Sequence, residues 1–124
     1  MRDLGHSKIV MRTDGILQVD FIDELLLDVP HCKELMEVYS EIIEGRKVPI
    51  LHITGKYMNV TKGARDYGAS EEGLKYSLVE AFVIDSLAHQ ILANFYMKFN
   101  KPSVPTQFFK TKEEAEAWLL TFVK

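Results

Sequence analysis

Four histidines, one cysteine and a scatter of carboxylates are the side chains of this 124-residue sequence with chemistry to offer. Metal sites need ligands at short helical or turn spacings. His6, His31, His52 and His89 lie far apart, and the acids near them make no zinc pattern, so no metal is expected. Asp85, Ser86 and His89 include the residue types of an activated serine, but they fall within one turn, and no Gly-x-Ser-x-Gly elbow is present to expose a nucleophile. Helix capping accounts for Asp85 and Ser86. Glycines 55, 63, 68 and 73 form no phosphate loop, because Gly63 is followed by Ala-Arg-Asp and no Gly-x-x-x-x-Gly-Lys-Ser/Thr occurs. Cys32 sits among apolar helical positions with no lysine or arginine arrangement peculiar to an activated thiolate, and reads as core. His52 falls inside an apolar run whose alternation puts it on one face of a sheet, as a core or partner-facing residue. No catalytic residue and no cofactor follow from these patterns, so a non-enzymatic role is the expectation.

The elements that position these residues are legible from hydrophobic period and punctuation. Ile9 to Met11 and Ile16 to Phe21 flank Asp14-Gly15, a turn that tolerates positive φ, and predict an antiparallel hairpin. Asp28 caps a helix that carries Pro30 early and Cys32, Leu35, Met36, Tyr39, Ile42 and Ile43 at helical spacing, with Gly45 as its stop. Val48 to Ile53 reads as a buried strand, and Thr61 as the cap of a short helix through Ala64 and Tyr67, interrupted by Gly68 and Gly73. The run from Leu78 to Ile84 predicts a central strand covered on both faces. A helix follows, with Leu87, Ala88, Ile91, Leu92, Phe95 and Phe99 as its core stripe and Asn100 and Pro102 at its end. Tyr96 and Met97 fall off that stripe, which makes Tyr96 an expected exposed contact residue. Thr106 to Phe109 reads as a strand, and Thr111 with Glu114 as a capping box before Ala115, Trp118, Leu119 and Phe122. The predicted fold is a single α/β domain over residues 1–124, ordered ββαβαβαβα. Its sheet is mixed and mostly parallel, with an N-terminal hairpin and four helices.

Ligands of such sheets meet the carboxyl ends of the strands, here residues 53–62, 84–86 and 109–111. The loop from Lys56 to Tyr67 is therefore the first candidate surface, with Lys62 and Gly63 at its helix start and Arg65 and Asp66 placed to pair and hold it. Lys98, Lys101, Lys110 and Lys112, near Phe99, Phe108 and Phe109, make a second, mildly basic and aromatic one.

Composition narrows the class. With 47% hydrophobic residues the chain can bury one core, and 15 basic against 18 acidic residues give a net charge of −3, too little positive field for nucleic acid. The lone cysteine fits a reducing compartment, and neither a signal peptide nor a membrane span is evident, so a cytoplasmic protein is expected. An edge hairpin in so short a chain makes a homodimer a further expectation.

The order of elements resembles the STAS fold of the SpoIIAA-type anti-sigma factor antagonists. The segments Ala64-Arg65-Asp66-Tyr67, Asn94 to Pro102 and Pro105 to Phe109 with the helix from Glu113 to Leu119 resemble small bacterial STAS-like proteins of uncharacterised function. In the antagonists, a serine in an Asp-Ser-Ser-Gly motif after the third strand is phosphorylated. The matching positions here are Val60-Thr61-Lys62-Gly63, so the resemblance implies Thr61 as phospho-acceptor, with Val60 and Lys62 departing from the pattern. It implies a regulatory protein-contact module. The STAS fold also looks similar in outline to the lipid-carrying CRAL-TRIO fold, and the alternative is a carrier of a small or lipid-like molecule in a pocket near the second and third helices.

Overall fold

The structure, a computed structural model, describes residues 1–123. A six-stranded sheet holds β1 (Arg2–Asp3), β2 (Ser7–Met11), β3 (Leu17–Phe21), β5 (Val48–Ile53), β7 (Ser77–Val83) and β8 (Thr106–Phe109) in that spatial order. Two further short strands, β4 (Leu26–Leu27) and β6 (Asn59–Val60), pair only with each other. The helices are α1 (Val29–Ile42), α2 (Lys62–Gly68), α3 (Leu87–Phe99) and α4 (Lys112–Leu120). The architecture is α/β in the expected order, with two-residue β1, β4 and β6 added.

Local chemistry sets the boundaries. Gly15, at φ +91°, closes the β2–β3 turn, and Arg12 ties that turn to α4 by pairing with both Asp14 and Glu116. Asp28 caps α1 by accepting from the Val29 amide, while its own amide donates to His31 Nδ1, an imidazole in the place a Glu usually takes. Thr61, Ser86 and Thr111 cap the other helices, each accepting from the amide three residues on.

Strands β3, β5, β7 and β8 are mutually parallel and step one way across the sheet, so crossovers of one hand lay α1, α2 and α3 on the same face. On that face Leu35, Val38 and Tyr39 pack on Ile9, Val19 and Ile50. The alternate strand residues Leu51, Val79 and Ala81 point the other way, onto Ala115 and Leu119 of α4.

The third helix departs from expectation. Its row of Leu87, Ile91, Phe95 and Phe99 faces outward, each residue 46–77% exposed, while His89, Ala93 and Tyr96 face the sheet. Tyr96, expected at the surface, is 8% exposed. Both rows obey helical spacing, so period alone cannot choose between them. The inward row wins because Ala93 is small and because His89 Nε2 lies 2.9 Å from the Met58 carbonyl. No helix among the described residues is long and apolar enough to cross a membrane.

Candidate functional site

Between the sheet and the layer of α1, α2 and α3 lies a cavity of about 160 Å³, partly open to solvent. Its floor is an aromatic row with one ring from each parallel strand: Phe21, His52, Phe82 and Phe108. The rings are stacked with nearly parallel planes, their centroids successively 6.1, 4.4 and 4.9 Å apart. The strand register produces the row, since His52 pairs with Phe82 and Phe82 with Phe108, and cross-strand partners share a face. The walls are Leu35, Met36 and Tyr39 of α1, Ala64, Tyr67 and Gly68 of α2, and Leu92, Ala93 and Tyr96 of α3. Met58 and Val60 close it from the loop after β5, so the cavity reaches the carboxyl end of that strand, where a site was expected.

The few polar groups in this apolar enclosure are perturbed by it. Glu80 is 6% exposed, and burial pushes its carboxyl up to about 7, with a 2.8 Å hydrogen bond from the Ser77 hydroxyl acting the other way. His52 is 8% exposed, and burial pushes its imidazole down to about 4. Its Nδ1 has no hydrogen-bond partner. Tyr39 and Tyr96 are driven upward by burial first and then by the charge of Glu80, so both stay as phenols. Cys32, on the α1 wall, is pushed up to about 11 by burial and then by Asp28, which makes it an inert thiol in accord with its reading as core. Arg65, on the α2 wall, donates to the Val60 carbonyl at 2.7 Å and lies 5.5 Å over the Phe95 ring, while its Nε has no partner. Glu80, His52 and Arg65 are thus polar residues in the lining of a mostly apolar space.

The structure brings Arg65, Tyr67 and Tyr96 of the candidate surface into this cavity and leaves the others outside. Lys62 pairs with Asp66 at 2.8 Å, and Asp66 also accepts from Asn100, which joins α2 to the end of α3. Lys56 holds the loop through its backbone, accepting from the Glu24 amide and donating to Asp23. Gly63 is exposed in the first turn of α2. Lys98 lies over Phe99, and Lys101 takes a left-handed φ of 49° just past α3. The basic aromatic surface does not assemble as expected, because Phe108 turns into the cavity and Phe109 turns to Trp118 on the opposite face.

Thr61 is committed as a cap. Its hydroxyl accepts from the Ala64 amide at 3.1 Å and donates to Asp28 Oδ1 at 2.8 Å, so a phosphoryl group there would meet a carboxylate. Among the described residues no cluster of three or more His, Cys, Asp or Glu could hold a metal ion.

Sequence reasoning missed Glu80, Phe82 and Phe108 as parts of one site, and took Tyr39 and Met36 simply as core. For Glu80 a signal existed: it is the single charged residue in the run from Leu78 to Ile84, and a carboxyl inside a doubly covered strand is unusual.

A family model described as Domain of unknown function (DUF7793) matches residues 9–123. No curated protein matches the sequence. Among solved structures, the chain is similar to a protein with unknown function from Arthrobacter sp. FB24. The identity is 18%, over 94% of this chain and 100% of that one, with a TM-score of 0.31.

Proposed function

We propose that this chain, which belongs to the family described as Domain of unknown function (DUF7793), is a binding protein for a small, largely apolar molecule. The observation that supports this is the cavity of about 160 Å³ between the aromatic floor and α3. Protein interiors hold few voids larger than a water molecule. An apolar guest would take this mostly apolar lining out of contact with water, and the partial opening gives it a way in. A cytoplasmic setting, in which Cys32 stays reduced, belongs to the reading. The test is ligand-observed NMR with a set of small aromatic fragments on the wild type and on Ala93→Phe, which places a ring in the cavity. Binding to the wild type that disappears in the folded variant supports the proposal; binding unchanged in Ala93→Phe, or absent from both, defeats it.

A second reading, contact with a second copy of the chain, draws on the exposed row of α3. Leu87, Ile91, Phe95 and Phe99 recur every four residues, the ridge that two helices crossed about a two-fold axis can interlock. Four such side chains supply on the order of half of the ~800 Å² that each partner gives a standard interface, so the expected dimer is weak. A STAS-like, regulatory role through protein contact belongs to this reading; the stepwise order of the parallel strands supports the resemblance in layout. Analytical ultracentrifugation should show a concentration-dependent dimer that Ile91→Glu abolishes, and a wild type monomeric at its highest soluble concentration would remove it.

A further inference from the structure

We propose that the occupant of the cavity is a small primary amine, with a compact apolar body and an ammonium group that pairs with Glu80 and donates to the hydroxyls of Tyr39 and Tyr96. This rests on the reading of the cavity as a ligand site and adds the chemistry of the ligand. Size limits the body. A dry apolar cavity of about 150 Å³ admits benzene. The space here, about 160 Å³, takes one ring or a short branched chain beside the amine and excludes an extended acyl chain.

Glu80 stands in β7 two residues before Phe82, so its side chain leaves the sheet on the cavity face, between its cross-strand neighbours Ile50 and Thr106. One carboxyl oxygen, Oε2, accepts from the Ser77 hydroxyl. The other, Oε1, accepts from no described residue, yet it is not sealed in as the unpartnered ring nitrogens of His52 and His89 are. In a side chain otherwise buried, the surface this oxygen keeps belongs to the cavity that Glu80 lines. Tyr39 reaches the same space from α1 and Tyr96 from α3. Neither hydroxyl has a partner among the described residues, neither is sealed in, and the charge of Glu80 reaches both. Buried polar groups ordinarily have hydrogen bonds, and here three oxygens lack them. An ammonium group has three N–H donors and no acceptor, one donor for each oxygen.

Charge selects the cation. A buried carboxylate is ordinarily paired. The titratable groups that share the lining with Glu80 are Cys32 and Tyr39 of α1, Arg65 and Tyr67 of α2, His89 and Tyr96 of α3, and His52 of β5. Arg65 is the one permanent cation among them, and it is engaged by the Val60 carbonyl and the Phe95 ring. Burial and the Ser77 hydroxyl set where Glu80 titrates, with no cation contributing. The fold has therefore stripped water from a carboxyl without supplying its counter-charge. An amine supplies it, and the carboxylate needs no further desolvation to accept it. A carboxylate ligand would be repelled by Glu80 once ionised, and an alcohol brings one donor to three oxygens.

Calorimetric titration of the full chain with benzylamine, benzyl alcohol, benzoate and toluene at pH 6, 7 and 8 separates these chemistries. Glu80 titrates at about 7, so its ionised fraction rises about tenfold from pH 6 to pH 8 while benzylamine stays protonated. Benzylamine is expected to bind about tenfold tighter at pH 8 than at pH 6, and at pH 8 to bind tightest of the four. Glu80→Gln keeps the shape and removes the charge, and should abolish that pH dependence and bring benzylamine down to the level of benzyl alcohol. If the variant does not fold, the wild type at pH 7 in buffers of different ionisation heat carries the test: benzylamine should release about half a proton on binding, and toluene none. A flat pH profile for benzylamine, the same profile in Glu80→Gln, or tightest binding of another probe at pH 8 overturns the amine assignment alone. Failure of all four probes to bind, toluene included, defeats the ligand-site reading as well.

Discussion

Replacing Glu80 with Gln should change how stability depends on pH, and the structure fixes the sign. The native carboxyl titrates at about 7 and the unfolded one at its ordinary 4.5, so between these values the native state binds the extra proton. Stability therefore falls as pH rises through that window. The gap corresponds to about 3 kcal/mol at 1.36 kcal/mol per pH unit. His52 works in the opposite direction: its native imidazole titrates at about 4 against 6.5 unfolded, so stability rises across that window by a similar amount. In the wild type the two slopes nearly cancel between pH 4.5 and 6.5. Gln retains a carbonyl that can accept from the Ser77 hydroxyl and never ionises. Glu80→Gln should thus match the wild type near pH 4.5 and exceed it by on the order of 3 kcal/mol at pH 8. Of these two slopes, its own profile should keep the rise contributed by His52. Urea denaturation of both proteins at half-unit steps from pH 4 to 8 reads this directly, because other titrating groups drop out of the difference. Parallel profiles, or a variant less stable than wild type at pH 8, would refute the assignment of a buried, high-titrating carboxyl.

Three further outcomes follow from contacts elsewhere. Gly55→Ala would drive its Cβ to 2.2 Å from the Ile22 carbonyl oxygen, a backbone atom, and should cost about 3 kcal/mol or more in thermal or urea unfolding. Thr61→Ala should cost about 1 kcal/mol as a lost cap, and Thr61→Glu more, because its carboxylate faces Asp28; a Glu variant as stable as wild type would revive the phospho-acceptor reading. Cys32, held as a thiol by burial, should resist iodoacetamide at pH 8 and react only on addition of urea, as mass spectrometry would record.

Much of the fold was open to reading because local chemistry and tertiary placement agree. Val48–Ile53 begins and ends where its apolar run does, Thr106–Phe109 fills the stretch between Pro105 and Lys110, and Asp28, Thr61, Ser86 and Thr111 cap the helices that their residue types announce. The pair β4 and β6 carried no signal, since it rests on backbone bonds such as Asn59 N–H to the Leu25 carbonyl and Thr61 N–H to the Leu27 carbonyl, available to almost any residue. On α3 the larger apolar row lost to Ala93 and Tyr96, because what fits between helix and sheet depends on a spacing that no single helix encodes. The cavity was illegible for the same reason. Its floor takes one residue from each of four strands, and only the register that puts His52 beside Phe82 and Phe82 beside Phe108 makes a surface of them.

The central claim is that the space above this floor accepts an apolar guest. Crystals of the protein pressurised with xenon test it most directly, since xenon enters dry apolar cavities without needing any polar partner. The account predicts xenon between Phe82, Ala93 and Tyr96. An unoccupied core, with those side chains closed on one another, would contradict it.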